Sequence, residues 1–158
     1  MLYNNEIIIK GRKIVKGYAE GKAIVSKDPI SFLGGVDPKT GIVVEKNHEL
    51  EGKSIAKKIL VFPYGKGSTV GSYVILSLAN RNLGPKAIIN VESEPIIIAG
   101  CALANIPLMD RLEKSPIEVI KNEDYVIVDG IKGLVRIKKF MRKTIPKVKN
   151  KNDENILK

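Results

Sequence analysis

The stretch Pro63-Tyr64-Gly65-Lys66-Gly67-Ser68-Thr69 combines residue types suited to anion chemistry: two glycines, a lysine and a hydroxyl at what reads as a strand-to-helix junction. Glycines let the backbone approach a ligand, and the free N–H groups of a helix start favour a bound anion. The stretch therefore reads as an anion cradle. It is not a Walker P-loop, because the spacing of that motif's glycines and its lysine-serine pair is absent. On composition alone the first reading is plainer, a strand-to-helix turn with Ser68 as its N-cap. A second stretch, Pro29-Ile30-Ser31-Phe32-Leu33-Gly34-Gly35-Val36-Asp37, can present backbone N–H groups and one carboxylate to a ligand, or form a loop plugged by a buried Phe32, and the loop comes first. His48, the only histidine, lies in a polar turn with no second histidine or cysteine near it, so a hydrogen-bonded structural role is expected ahead of catalysis. Cys101, set among alanine, glycine and isoleucine, is expected to be a small buried apolar residue.

A lone cysteine forms no internal disulfide, holds no iron–sulfur cluster and builds no structural zinc site with only His48 for company. Metal chemistry would have to be borrowed. The 158 residues match the usual length of one domain, which argues against an enzyme carrying its own cofactor module. No apolar run approaches the ~18 residues that span a bilayer, and Met1–Lys16 lacks the zones of a signal peptide, so the expected location is the cytoplasm. The net charge of +10 is concentrated at one end: residues 136–158 hold nine basic side chains against Asp153 and Glu154, whereas residues 1–135 hold 18 basic and 15 acidic ones. The expected organisation is a domain over 1–139 and a solvated, disordered basic tail over 140–158. With few aromatics and no RNA-binding or zinc-finger signature, nucleic acid is not the expected partner.

The elements that would hold these residues follow from periodicity. Glu6–Lys10, Lys13–Val25, Ile42–Glu45 and Lys58–Phe62 are rich in β-branched residues and read as strands between glycines. From Ser68 to Asn82, Val70, Tyr73, Val74 and Leu78 keep helical spacing, Ile75, Leu76 and Ala79 widen the stripe, and Gly84-Pro85 marks the end. Lys86–Val91 suits a strand buried on both faces. Ser93-Glu94-Pro95 opens a helix over Ile96–Asn105, with a strand as the alternative through Ile96, Ile97 and Ile98. Ile106–Met109 is a further short strand, and Tyr125–Val128 with Leu134–Ile137 form a hairpin across Asp129–Gly133. A β-rich half followed by alternating helix and strand predicts an α/β fold, layered, with helices packed on a mixed sheet.

Taken in order, Gly21-Lys22-Ala23-Ile24-Val25-Ser26, then Ser31-Phe32-Leu33-Gly34-Gly35-Val36-Asp37-Pro38, Thr40-Gly41, His48, Gly52 and Gly65-Lys66-Gly67-Ser68 resemble the small, swivelling subunit of the aconitase X family, from about Val15 to about Val135. Leu33 stands where that family often has an aromatic, and Lys66 where arginine is frequent; lysine offers a point charge in place of a bidentate fork. The resemblance implies a β/β/α swivelling domain of the aconitase type, working as one subunit of a hydro-lyase. It implies a large partner subunit holding a [4Fe-4S] cluster whose iron polarises the substrate hydroxyl, with no cofactor on this chain. It also implies a phosphorylated hydroxy acid as substrate, 5-phosphomevalonate ahead of hydroxyproline or other aconitase X substrates. The family's serine base corresponds to Ser68, with Ser31, Gly34, Gly35, Lys66, Gly67 and Thr69 expected to bind substrate. Two other readings remain. The hairpin from Asp124 to Ile137 resembles that of a phosphohistidine swivel carrier, but His48 lacks the glycine-rich setting such a carrier needs; a non-catalytic basic binding module would rest on the tail alone.

Overall fold

In the computed structural model, which describes residues 2–141, the β-branched N-terminal third forms β1 (Tyr3–Lys10), β2 (Arg12–Val15) and β3 (Tyr18–Val25). The run expected as one strand over 13–25 breaks at Gly17, whose φ of 154° is open to glycine and whose carbonyl accepts from the Gly130 amide at 2.7 Å. There follow β4 (Ile30–Ser31), α1 (Phe32–Gly35), β5 (Ile59–Phe62), β6 (Gly65–Lys66), α2 (Gly71–Asn80), β7 (Ala87–Asn90), α3 (Pro95–Ala104), β8 (Leu108–Asp110), α4 (Pro116–Val119), β9 (Tyr125–Asp129) and β10 (Leu134–Phe140). Eight strands pair in the order β1-β10-β9-β3-β5-β7-β8-β2, while β4 and β6 form a separate ribbon.

Because β1 and β2 occupy opposite edges of that sheet yet are separated only by Gly11, the sheet must curl until its edges meet. The Gly11 amide donates to the Gly133 carbonyl at this seam. β3 changes partner along its length: Tyr18–Lys22 run antiparallel to β9, and Ala23–Val25 run parallel to β5. One half of the sheet is thus antiparallel and the other mainly parallel.

β5 and β7 are buried throughout, and the two-residue period of a strand sends their side chains into different cores. Ile59, Val61, Ala87 and Ile89 face the interior of the curl with Val126, Val128, Val135 and Ile137. Leu60, Phe62 and Ile88 face the helices, meeting Ile75, Leu78, Ile97 and Cys101. These are two β layers and a helical layer. Each fully buried large side chain, such as Phe62, contributes about 1.5–3 kcal/mol. No helix among the described residues is long and apolar enough to cross a membrane.

Several expectations shift. Ile42–Glu45 forms no named strand: Val36 bridges Val43 and Ile42 bridges Ser54 as isolated pairs, because Gly41 and Gly52, with φ of 72° and 80°, turn the chain before a ladder can extend. α2 starts at Gly71, and Asn82, in the left-handed region with φ 58°, marks its end before Gly84-Pro85 is reached. The buried stripe of α2 keeps Ile75 and Leu78 of the expected one and replaces its N-terminal part. Small Gly71 and Ser72 with Ile75 and Leu78 face inward, while Val70 and Tyr73 stay 49% and 65% exposed. The Ser93-Glu94-Pro95 start is a helix, not a strand, with the Glu94 side chain accepting from the Ile96 amide. The hairpin is β9–β10, and Phe140, expected to open the tail, closes β10. The remainder of the expected tail, beyond Met141, lies outside the described residues.

Candidate active site

The two glycine-bearing stretches meet in the β4–β6 ribbon, where Ile30 pairs with Gly65 and Ser31 with Lys66 in parallel register. Burial of Phe32 against Phe62, with ring centroids 6.2 Å apart, anchors the first stretch from below. The Phe32 plug and the presentation of Ser31 are two halves of one arrangement. Ser31 Oγ donates to the Leu33 carbonyl at 3.0 Å, and Gly34, φ 83°, turns the chain over open space. Gly35 is buried, and its carbonyl accepts from the Val44 and Glu45 amides. Asp37, a possible ligand carboxylate from the sequence, accepts instead from the Lys39 amide at 2.9 Å in its own turn.

Gly67 has φ 85°, and a side chain there would overlap the Ser31 hydroxyl. This turn delivers Ser68 to the surface, where its Oγ accepts from the Val70 amide at 3.2 Å and its carbonyl accepts from the Gly71 amide at 3.0 Å. Ser68 therefore caps the tight turn that leads into α2, two residues ahead of the N-cap position at Val70. Among the described residues, the Val70 amide is the one hydrogen-bond partner of its hydroxyl, and the Ser68 and Thr69 amides donate to no protein acceptor. Thr69 is exposed and, with Val70, Ser72, Tyr73, Pro95 and Ile96, lines a groove of about 380 Å³ between α2 and α3.

Lys66 does not stand free. Its Nζ lies 2.8 Å from Glu45 Oε1, and this carboxylate raises the lysine above its ordinary value. Glu45 escaped the sequence reading because nothing in its neighbourhood announces a partner 21 positions away; the contact exists only through the fold. His48 has the structural role expected of it. Nδ1 accepts from the Leu50 amide at 3.0 Å, which leaves the proton on Nε2 to donate to the Pro29 carbonyl at 3.0 Å. The imidazole ties the 45–50 turn to the base of β4.

The described residues do not fit as a holder of the cluster that the family resemblance implies. Cys101 is fully buried in α3, and burial, followed by the charge of Glu94, pushes its thiol up to about 12, far from a thiolate ligand. Among the described residues no three His, Cys, Asp or Glu side chains are grouped to hold a metal ion.

The aconitase X swivel domain family matches residues 8–137. A protein of Methanosarcina acetivorans named phosphomevalonate dehydratase small subunit is 57% identical over 131 residues, covering 83% of this chain and 91% of that one. The like-named protein of Pyrococcus furiosus is 52% identical over 129 residues, covering 82% and 94%. The crystal structure of Thermococcus kodakaraensis aconitase X in its holo-form superimposes with a TM-score of 0.80 at 51% identity, covering 84% of this chain and 99% of that one. The solution NMR structure of a UPF0107 protein gives a TM-score of 0.76 at 47% identity, covering 86% and 100%.

Proposed function

The chain belongs to the aconitase X swivel domain family, and on that premise we propose that it is the small subunit of a heteromeric, cytoplasmic hydro-lyase that dehydrates (R)-5-phosphomevalonate to trans-anhydromevalonate 5-phosphate. The observation that carries this reading is the exposed Ser68 hydroxyl at the end of two joined glycine turns, beside backbone amides without protein acceptors. Relatives bearing the name phosphomevalonate dehydratase small subunit at 51–57% identity support the substrate.

In this mechanism Ser68 Oγ, as the alkoxide, takes the C2 proton of the substrate and becomes the neutral hydroxyl, while the C3 hydroxyl departs on the partner's side of the joint pocket. A serine base is demanding because its ordinary pKa lies far above neutrality. The Val70 N–H and the positive end of α2 favour the alkoxide, yet a helix terminus contributes about 0.3–2 kcal/mol, little more than one unit of pKa. Further stabilisation must come from Lys66, the Gly67 and Thr69 amides and cations of the large subunit in a water-poor cleft. Ser31 and Gly34 line the substrate side, and buried Gly35 supports them from behind through its carbonyl bonds to the Val44 and Glu45 amides. The [4Fe-4S] cluster implied for the family, a source of Lewis acidity toward a hydroxyl oxygen, is assigned to the large subunit, because the single cysteine of this chain is buried in α3.

Exposed Leu33, Tyr64, Val70 and Tyr73 belong to the segments that carry the site, which suits a surface closed by a partner. The catalytic domain ends with β10, and the basic segment beyond it takes no part in the reaction. The test is reconstitution: the small subunit mixed with its large partner should convert 5-phosphomevalonate, and neither subunit alone should do so. A pair that leaves 5-phosphomevalonate untouched while dehydrating hydroxyproline would replace the substrate.

A further inference from the structure

Glu94 is an unusual choice for the cap of a helix. Serine, threonine, aspartate and asparagine are the favoured N-caps, and any of them would satisfy the amide that Glu94 Oε2 accepts, Ile96 N at 2.8 Å. The longer side chain is explained by its other oxygen: Oε1 accepts from the Gly65 amide at 2.9 Å, the first residue of the Gly-Lys-Gly-Ser turn. One carboxylate thus bridges the start of α3 and the start of the turn that ends in Ser68. Gly65 is shaped to the contact, since a Cβ there would overlap Glu94 Oε1 and lie 2.6 Å from Ile97 Cγ1.

The bridge has a rigid footing. Ser93, immediately before Glu94, donates its amide to buried Asp110 at 2.8 Å, and Arg12 holds both oxygens of Asp110 at 2.8 and 2.7 Å. Ser93 Oγ donates to Asn90 Oδ1 and Asn90 Nδ2 to the Phe62 carbonyl, so the turn before α3 is fixed to the end of β5. The Val91 and Glu92 amides both donate to the Pro63 carbonyl. Pro63 is therefore held without Glu94, whereas Gly65 is held by its pairing with Ile30 in the β4–β6 ribbon and, on its amide, by Glu94.

We infer that Glu94 is a positioning residue: through Gly65 it sets where the Gly67 turn places the Ser68 hydroxyl. The inference rests on the reading of Ser68 as the base. It extends that reading to a group that touches neither substrate nor partner cofactor.

Glu94→Ser separates capping from positioning, because serine keeps the Ile96 bond but cannot reach Gly65. In the reconstituted enzyme kcat should fall about 100-fold, the scale of a misplaced reacting group, while KM for 5-phosphomevalonate stays within about twofold. Glu94→Gln, long enough to keep one of the two bonds, should recover part of the loss, and it carries the test if the serine variant does not fold. Amide exchange on the full-length small subunit gives a second readout: the Gly65 and Val70 amides should lose protection in Glu94→Ser while the α3 amides keep theirs. Wild-type kcat in Glu94→Ser, or unchanged protection at Val70, would overturn the inference. If the wild-type pair fails to dehydrate 5-phosphomevalonate, the proposed reaction is what fails, and the exchange measurement still decides the role of Glu94.

Discussion

The Ser31 hydroxyl occupies the space that a side chain on Gly67 would need, so the two glycine turns of the site fit one another only because residue 67 has no Cβ. The same residue holds φ at 85°, in the left-handed region that other residues enter at a cost of about 1–2 kcal/mol. Local backbone conformation and packing against Ser31 thus demand glycine independently.

Gly67→Ala should therefore lower stability by about 1–2 kcal/mol from backbone strain alone and shift Ser31 or Ser68 from its place. Thermal unfolding of the subunit and kcat of the reconstituted pair check this. A stable variant with unaltered kcat would mean that the turn tolerates movement.

On the proposed substrate-binding role of Lys66, Glu45 competes with substrate for its ammonium. Lys66→Ala should raise KM about tenfold, the scale of one charge-assisted contact, whereas Glu45→Gln should lower KM by freeing the charge. Glu45 raises the lysine, so Lys66 stays protonated at neutral pH. The stabilising effect of the pair is full below the unfolded lysine value of about 10.4 and fades as pH rises through the higher folded value. Steady-state kinetics of both variants, repeated across salt concentrations, provide the check.

Cys101 should resist alkylation in the folded subunit at pH 8 and react on unfolding, because burial moves its thiol from 9.0 to about 12. In this direction the neutral thiol stabilises the fold fully below its unfolded value, and the contribution is lost as pH climbs from that value of 9.0 toward the folded value of about 12. Cys101→Ser should cost about 1–3 kcal/mol if its hydroxyl finds no partner and leave the iron content of the assembled enzyme unchanged. Loss of iron would assign this thiol to the cluster after all.

Tyr73, 65% exposed on α2, and neighbouring Val70 should lie under the large subunit. Tyr73→Asp, with its folding verified by circular dichroism, should weaken association at least about tenfold, the loss expected where a buried aromatic anchor is removed. Titration of the labelled small subunit against its partner measures it; unchanged affinity would place the interface elsewhere.

The sequence was legible where chemistry and periodicity are local. Ser68 and Thr69 could be read as bearing free amides ahead of a helix, and the continuous apolar runs of β5 and β7 could be read as strands buried on both faces. Ser93-Glu94-Pro95 signals a helix start, and the helical period reaches Asn82, whose left-handed backbone follows the end of α2 at Asn80. What remained hidden depends on distant segments meeting. A parallel ribbon of two residues, Ser31 beside Lys66, leaves no period to detect. Glu45 reaches Lys66, and Glu94 reaches Gly65, only after the sheet has brought their turns together. The β-branched run Ile42–Glu45 looked like a strand because side-chain type was visible, whereas the glycine turns at 41 and 52, which limit its pairing to single bridges, act through the backbone. Val70 and Tyr73 fitted the apolar stripe by spacing, but the small residues Gly71 and Ser72 decided which face of α2 approaches α3.

The role of Ser68 is tested most directly by the single-turnover rate of 5-phosphomevalonate dehydration in the assembled enzyme carrying Ser68→Ala. Removal of the base should reduce that rate by at least about 100-fold to 10,000-fold, the contribution of a positioned proton acceptor, with subunit assembly and iron content intact. An assembled, iron-replete Ser68→Ala enzyme turning over at the wild-type rate would show that another group removes the proton.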